Sequence, residues 1–186
     1  MLLSKISVRE EPIYHLSGIV FAKELLLRQP EEVREDLLYL ITLLNHADKN
    51  PEETFFINLE PQTLIRHPTI IKGLLKSKPN VVVEITERYE DTLAELLSLE
   101  IDFPVCLDDV NFYTPAELIS SVKPHFVKID LLEVASLDDL QAVVDYIRKH
   151  TTAMIIAERV PPEKFEWLKK ADINLVQSHH FRGYSL

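Results

Sequence analysis

Met154-Ile155-Ile156-Ala157-Glu158 is an apolar run of four residues that ends in a carboxylate. Similar short runs recur along the chain, and each leads into a carboxylate, an amide or a lysine. In parallel α/β folds the strands are covered on both faces, so they are continuously apolar, and functional groups collect at their carboxyl ends. We therefore predict buried parallel strands whose carboxyl ends form one acidic, metal-binding mouth. The other runs precede Glu24, Asn58, Glu84, Asp108 with Asp109, Lys128 with Asp130, and Gln177.

The composition limits the class of protein. A chain of 186 residues is long enough to bury a core as one domain, residues 1–186. A net charge of −10 argues against binding a DNA or RNA polymer or an anionic membrane, because basic surfaces bind these partners. The lone cysteine, Cys106, lies in an apolar run, so we expect a buried structural thiol. The sequence lacks the pattern of a signal peptide or membrane span, so we expect a cytoplasmic protein.

The order of the elements predicts a modified TIM (β/α)8 barrel. The first two strands, 6–14 and 19–24, are joined by a turn too short for a parallel crossover, which needs about a dozen residues. We therefore expect an antiparallel opening hairpin. After it, helices and strands alternate to a total of eight strands, which favours a barrel over an open sheet. Barrels of this class typically have about 250 residues, so we expect shortened loops and helices.

Periodicity and capping signals predict where the later elements lie. Thr114-Pro115-Ala116-Glu117 has the spacing of a capping box, with a proline in the first turn. Ser136 is followed three residues later by Asp139, which predicts a second helix start. The other predicted helices are 30–49, 61–76, 87–99 and 162–171, and the later strands are 55–58, 81–85, 105–108, 125–130, 153–158 and 173–177.

The polar groups at the strand ends suit a hard divalent ion. Mg²⁺ and Mn²⁺ prefer carboxylate, amide and water oxygens, and Glu24, Asn58, Glu84 and Asp108 supply such groups from successive strands. Asp109 stands beside Asp108, and two adjacent carboxylates can bridge a pair of ions. Two ions about 4 Å apart can activate water and stabilise the leaving oxygen of a phosphodiester. This pattern predicts metal-dependent hydrolysis of a phosphate ester.

Three later strands add groups that can act on water. Lys128 and Asp130 lie two residues apart on one strand face, where the ammonium can neutralise carboxylates and position the attacking water. Glu158 is a further ligand or the base that takes a proton from water. Gln177 can orient the water or a ligand by hydrogen bonds.

Several segments, in this order, resemble motifs of the EAL domain, the bacterial phosphodiesterase domain for cyclic di-GMP. Glu24-Leu25-Leu26-Leu27-Arg28 is similar to the segment that names the family, with leucine replacing its alanine. The resemblance spans almost the whole chain. The other matching segments are Glu11-Pro12-Ile13, Phe56-Ile57-Asn58-Leu59, Glu84-Ile85-Thr86-Glu87, Leu107-Asp108-Asp109, Lys128-Ile129-Asp130, Ala157-Glu158 and Gln177.

The resemblance implies hydrolysis of cyclic di-GMP to linear pGpG, with Mg²⁺ or Mn²⁺, in second-messenger signalling. It implies that one metal is held by Glu24, Asn58, Glu84 and Asp108, that Asp109 contributes to a second, and that Lys128 and Glu158 handle the water. It also implies that Arg28 contacts a ligand phosphate, and that the ligand side includes Leu26, Asp130 and Gln177. The partners expected besides cyclic di-GMP are a second copy of the chain, as a homodimer, or another protein.

A second function remains open at this stage. The family has a Phe-Gly-Thr-Gly loop after its paired aspartates, whereas this chain has Val110-Asn111-Phe112-Tyr113-Thr114-Pro115. Glycine adopts positive φ without strain, and valine and tyrosine do not, so this loop is expected to have another shape. The alternative is therefore a catalytically inactive EAL-like domain that binds cyclic di-GMP or a protein partner as a regulator.

Overall fold

The computed structural model describes residues 7–28, 36–86 and 92–181. Eight strands form a closed barrel in sequence order, which confirms the predicted barrel. The predicted strands are found with small shifts of their ends. They are β1 (Val8–His15), β2 (Val20–Leu27), β3 (Phe55–Leu59), β4 (Val81–Ile85), β5 (Val105–Leu107), β6 (Phe126–Asp130), β7 (Met154–Glu158) and β8 (Leu175–Gln177).

The direction of β1 distinguishes this barrel from an all-parallel one. β1 pairs antiparallel with β8, with Tyr14 opposite Val176, whereas β2 pairs parallel with β3, and β7 with β8. The turn after β1 is closed by a hydrogen bond of 2.9 Å from the His15 N–H to the Ile19 carbonyl. Gly18 has a φ of 87°, which glycine adopts without a Cβ clash. A turn this short explains why β1 runs opposite to the later strands, as predicted.

Seven α-helices lie among the described residues. Predicted helix 61–76 is wrong as a single helix, because it breaks at His67, which has φ −131° and ψ 41°. His67 precedes Pro68, and the proline ring disfavours helical backbone in the residue before it. Predicted residues 30–35 and 87–91 lie outside the described part of the chain. The helices are α1 (Asp36–Ala47), α2 (Pro61–Arg66), α3 (Pro68–Leu75), α4 (Leu93–Leu97), α5 (Ala116–Val122), α6 (Leu137–His150) and α7 (Phe165–Lys170), the last preceded by a 3₁₀ turn (Pro162–Lys164).

The two predicted helix caps have different outcomes. Ser136 caps α6, because its Oγ accepts a hydrogen bond of 3.1 Å from the Asp139 N–H. The capping box at Thr114 is wrong, because Pro115 is the residue before α5 and no side chain caps that helix. Thr114 Oγ1 instead accepts from the Asn111 N–H at 3.1 Å. A threonine hydroxyl can bond to the backbone of a turn as readily as to that of a helix start, and the turn wins here.

The chain divides into two compact units. The first comes from Met1–Pro12 and Ala22–Pro104, and its core includes the fully buried Phe55 and Phe56 of β3, with Leu40 and Leu43 of α1. The parallel register of β3 and β4 holds Asn58 opposite Glu84 in this unit.

The second unit comes from Ile13–Phe21 and Val105–Leu186. All five residues of β6 are buried, and the buried face of α6 follows helical spacing through Leu140, Val143, Val144 and Ile147. Cys106 is a fully buried thiol outside any disulfide of the described residues, as predicted. Among the described residues, no helix has both the length and the apolar character needed to cross a bilayer.

Candidate functional site

Glu24 lies inside β2 and not at its carboxyl end, so this detail of the prediction is wrong. The strand continues to Leu27, because Leu25 and Leu27 are buried and extend the apolar run. Beyond the strand, the Arg28 N–H still donates to the Ser7 carbonyl at 3.0 Å. Alternation along the strand places the half-buried Leu26 on the same side as Glu24, and Arg28 is exposed just after the strand end.

In the first unit, the carboxylates of Glu24 and Glu84 are grouped with the amide of Asn58. Asn58 Nδ2 donates a hydrogen bond of 2.6 Å to Glu24 Oε1, and Asn58 stands opposite Glu84 in the β3–β4 register. Glu24 is 7% exposed and Glu84 is 1% exposed. Burying a carboxylate is costly unless donors or a cation stabilise it. The group therefore combines two buried carboxylates with an amide, which are donor types that suit a hard divalent ion.

Burial and the negative charges of Glu24 and Glu84 affect the pKa of Tyr39 on α1. Burial, and then the negative charges of Glu24 and Glu84, together raise the pKa of the Tyr39 hydroxyl from 10.0 to about 12. Each of these causes disfavours a phenolate. Tyr39 therefore remains a neutral phenol through the physiological range. The sequence prediction missed this residue, because a tyrosine in an amphipathic helix has no signal that separates it from the core.

Three carboxylates come together in the second unit. Asp108 and Asp109 follow β5 directly, and Glu158 is the last residue of β7. One carboxylate oxygen from each lies within 4.8 Å of the others, and all three residues are half-buried. Asp108 Oδ1 accepts a hydrogen bond of 3.0 Å from the Asp109 N–H, which orients the first carboxylate. The donor types and the spacing fit a magnesium or manganese ion.

The ends of β6, β7 and β8 place the remaining predicted residues beside Glu158. Asp130 stands opposite Glu158 in the β6–β7 register, and Glu158 stands opposite Gln177 in the β7–β8 register. Lys128 is 1% exposed, and its Nζ lies 3.6 Å from Glu158 Oε2. A buried ammonium next to a carboxylate can fix that carboxylate in place and balance negative charge on a bound phosphate.

Arg159 is a second residue beside the candidate site whose contacts the sequence did not predict. Its guanidinium forms an ion pair with Asp130, and it lies 3.7 Å from Glu158 and 4.0 Å from Asp109. Burial lowers the pKa of Arg159, but the charges of Asp130, Glu158 and Asp109 outweigh burial and raise it overall. The sequence signal was a cation directly after the last residue of β7, at the place where the EAL motif Ala-Glu-Gly has glycine.

The loop after the paired aspartates is built by side-chain hydrogen bonds. Asn111 Oδ1 accepts from the Tyr113 N–H at 2.8 Å, and the Tyr146 hydroxyl donates to the Thr114 carbonyl at 2.6 Å. The Phe112 ring packs against Tyr146 with the ring centroids 6.4 Å apart. Positive φ in this region falls on Asp109, at 46°, and on none of residues 110–115. The loop therefore has a defined shape that does not need the glycines expected at this position.

Comparison with known proteins identifies the fold. No family model and no curated protein sequence matches the chain. The FimX EAL domain from Pseudomonas aeruginosa, crystallised with c-di-GMP, matches with a TM-score of 0.74 at 16% identity, over 96% of this chain and 90% of that chain. The EAL-like domain protein YdiV matches with a TM-score of 0.64 at 15% identity, over 93% and 89% of the two chains.

A third solved structure agrees with these two. The S helix-GGDEF-EAL portion of Vibrio cholerae LapD, bound to c-di-GMP, matches with a TM-score of 0.68 at 16% identity. The match covers 94% of this chain and 53% of that chain. All three matched proteins contain an EAL or EAL-like domain. In this chain the eight strands follow sequence order around the barrel, and β1 is antiparallel to its neighbour β8. The chain therefore has the fold of EAL domains, as its sequence motifs suggested.

Proposed function

We propose that this protein is a metal-dependent phosphodiesterase that opens cyclic di-GMP to linear pGpG. The observation that carries the proposal is the cluster of Asp108, Asp109 and Glu158, with Lys128 Nζ 3.6 Å from Glu158. The ligand is supported by the fold, since the FimX and LapD structures that share it were solved with c-di-GMP. An acidic chain needs a cation to accept a phosphodiester, and the carboxylates provide places to hold one.

The metal ligands follow from the two groups of oxygen donors. In the proposal, Glu24, Asn58 and Glu84 of the first unit and Asp108 and Asp109 of the second hold Mg²⁺ or Mn²⁺. Such ions lower the pKa of bound water and stabilise charge on the phosphoryl oxygens. The donor sets fit these ions better than a soft metal, because the described cluster has oxygen donors from carboxylates and no thiolate.

The remaining residues act on the water and the nucleotide. Glu158 accepts a proton from the attacking water while the water oxygen bonds to phosphorus. The bond between phosphorus and the 3′ oxygen breaks, and the 3′ oxygen takes up a proton. Lys128 holds Glu158 in position, and its charge offsets the negative charge that grows on the phosphate. Gln177 and Asp130 orient the water and ligand, while Arg28 and Leu26 contact the nucleotide.

The direct test is to incubate the purified protein with cyclic di-GMP and Mn²⁺ and to follow pGpG by chromatography. Glu158→Gln removes the base while keeping the size of the side chain. Glu163→Gln is the matched control, since Glu163 is an exposed carboxylate in the 3₁₀ turn before α7. We expect pGpG from the wild type and the control only. Absence of product from metal-replete wild type would reject the phosphodiesterase.

One observation favours a second function, a receptor that binds cyclic di-GMP or a protein partner without hydrolysis. Arg159 pairs with Asp130 and lies within 4.0 Å of Asp109, so a protein cation already stands among the proposed catalytic carboxylates. Calorimetry with cyclic di-GMP in the absence of divalent metal separates the two functions. Binding without pGpG formation on later addition of Mn²⁺ would support the receptor, and nucleotide-independent self-association or partner capture would support a protein-binding role.

A further inference from the structure

The backbone holds Arg159 firmly at the end of β7. Its φ is 48°, in the left-handed region that a residue with a Cβ adopts only under constraint. The constraint is a hydrogen bond of 3.0 Å from the Arg159 N–H to the Gln177 carbonyl of β8. The main chain therefore fixes where the arginine side chain starts, directly beside Glu158.

The side chain reaches three carboxylates from this start. The guanidinium donates to Asp130 Oδ2, its Nε lies 3.7 Å from Glu158 Oε1, and Nη2 lies 4.0 Å from Asp109 Oδ1. Asp130 is buried, and its other oxygen accepts from the Leu132 N–H at 2.8 Å. Hydrogen bonds therefore hold Asp130 in place, and the planar guanidinium of Arg159 can donate to Asp130 while it also faces Asp109 and Glu158.

Two of these acids belong to the three-carboxylate cluster, in which Asp109 is a proposed metal ligand and Glu158 is the proposed base. Asp109 and Glu158 each place an oxygen within 4.8 Å of the other and of Asp108. A divalent ion bound there would share its ligands with a guanidinium that already faces them. Two cations at one set of carboxylates repel each other, and the Arg159 side chain is 53% exposed, so it has room to move toward solvent.

We propose that Arg159 is a built-in counter-cation that competes with divalent metal for the proposed ligand Asp109, beside the proposed base Glu158. The inference builds on the proposed function, because it concerns the metal-binding cluster of that site. In the absence of metal, Arg159 balances the carboxylates and keeps them together. Metal binding requires the guanidinium to withdraw from Asp109 and Glu158. The affinity for divalent metal is therefore lower than that of the same carboxylates without Arg159.

The test measures Mn²⁺ binding without nucleotide, at low salt, by calorimetry and by the paramagnetic resonance signal of free Mn²⁺. Arg159→Gln removes the charge and keeps a polar side chain. Arg159→Lys keeps the charge. Arg148→Gln is the matched control, since Arg148 pairs at 3.3 Å with Asp172, outside the cluster in the same unit. We expect Arg159→Gln to bind Mn²⁺ about tenfold more tightly, the effect of removing one charge a few ångströms from a divalent ion at nearly water-like screening.

The outcomes separate this inference from the proposed function. Tighter binding in Arg159→Gln, with Arg159→Lys and Arg148→Gln within about twofold of wild type, supports the counter-cation whether or not any of the proteins forms pGpG. Unchanged or weaker Mn²⁺ binding in Arg159→Gln overturns it, even if the wild type hydrolyses cyclic di-GMP. Absence of Mn²⁺ binding in both proteins overturns it too, because the neutral variant should expose the cluster.

A second measurement keeps the inference testable if Arg159→Gln does not fold. In isotope-labelled wild-type protein, the Arg159 Nε–H signal is assigned by its loss in Arg159→Lys. We expect this signal to shift or broaden when Mg²⁺ is added, and to stay unchanged when NaCl is added to the same ionic strength. A signal that Mg²⁺ leaves unchanged while calorimetry detects binding would overturn the competition.

Discussion

Raising the pH through the range in which Tyr39 ionises should remove a defined amount of folding stability. The Tyr39 pKa is about 12 in the folded protein, against an ordinary value of 10.0, because burial and then the charges of Glu24 and Glu84 disfavour the phenolate. The unfolded chain loses this proton first, so between these two pH values the folded state binds more protons and stability falls as pH rises. The full contribution is present below pH 10 and is lost progressively as the pH rises through 12. Linkage gives a loss of about 1.4 kcal/mol at pH 11 and a limit of about 2.7 kcal/mol.

The assay compares urea unfolding of wild type and Tyr39→Phe at about pH 9 and at pH 11, where the phenylalanine cannot ionise. Other groups titrate equally in both proteins, so the difference isolates Tyr39. Tyr113→Phe is the control, since Tyr113 is 93% exposed. We expect Tyr39→Phe to gain about 1.4 kcal/mol relative to wild type between the two pH values. A parallel loss of stability in wild type and Tyr39→Phe would refute the reasoning.

Three further predictions follow from the caps and carboxylates. Glu158→Gln should lower turnover of cyclic di-GMP by about 10²- to 10⁴-fold and leave nucleotide affinity unchanged, and full activity would remove Glu158 from the role of base. Glu24→Ala and Asp108→Ala should each abolish Mn²⁺ binding as measured by calorimetry, and retention in either would remove that residue from the ligand set. Ser136→Ala should lower the free energy of unfolding by about 1 kcal/mol through loss of the α6 cap, and unchanged stability would show that the cap bond contributes nothing.

Strand positions were predictable because they depend on local pattern. The runs at Val81–Ile85 and Phe126–Asp130 are apolar throughout apart from one or two polar residues near the carboxyl end, and such runs form buried strands. The reversal of β1 was predictable from the length of the turn alone. The break at His67 was also available from Pro68, but helical periodicity on both sides concealed it.

The position of the Arg159 guanidinium among the carboxylates was not predictable in the same way. Lys128 was expected near carboxylates because strand alternation fixes the direction of its side chain. Arg159 lies just past β7, where alternation no longer applies, and the direction of its side chain depends on a positive φ and a bond to β8. The position of Tyr39 near Glu24 and Glu84 depends on how α1 packs against the sheet, and the sequence pattern does not specify that packing for single residues.

Backbone strain in this chain falls on residues that carry charge. The described residues with positive φ other than glycine are Asp109, Lys123, Arg159 and Asp172. For a residue with a Cβ this conformation costs on the order of 1 kcal/mol, and such strain persists where the surroundings fix it. Two of the four lie at the carboxyl ends of β5 and β7, and each is held by a hydrogen bond, from Asp109 N–H to Asp108 and from Arg159 N–H to Gln177. A glycine would relieve the strain at either position but would remove a carboxylate or a guanidinium from the cluster. At these two positions the strained backbone accompanies the close approach of Arg159 to Asp109, at 4.0 Å, which is the contact that the proposed competition with metal requires.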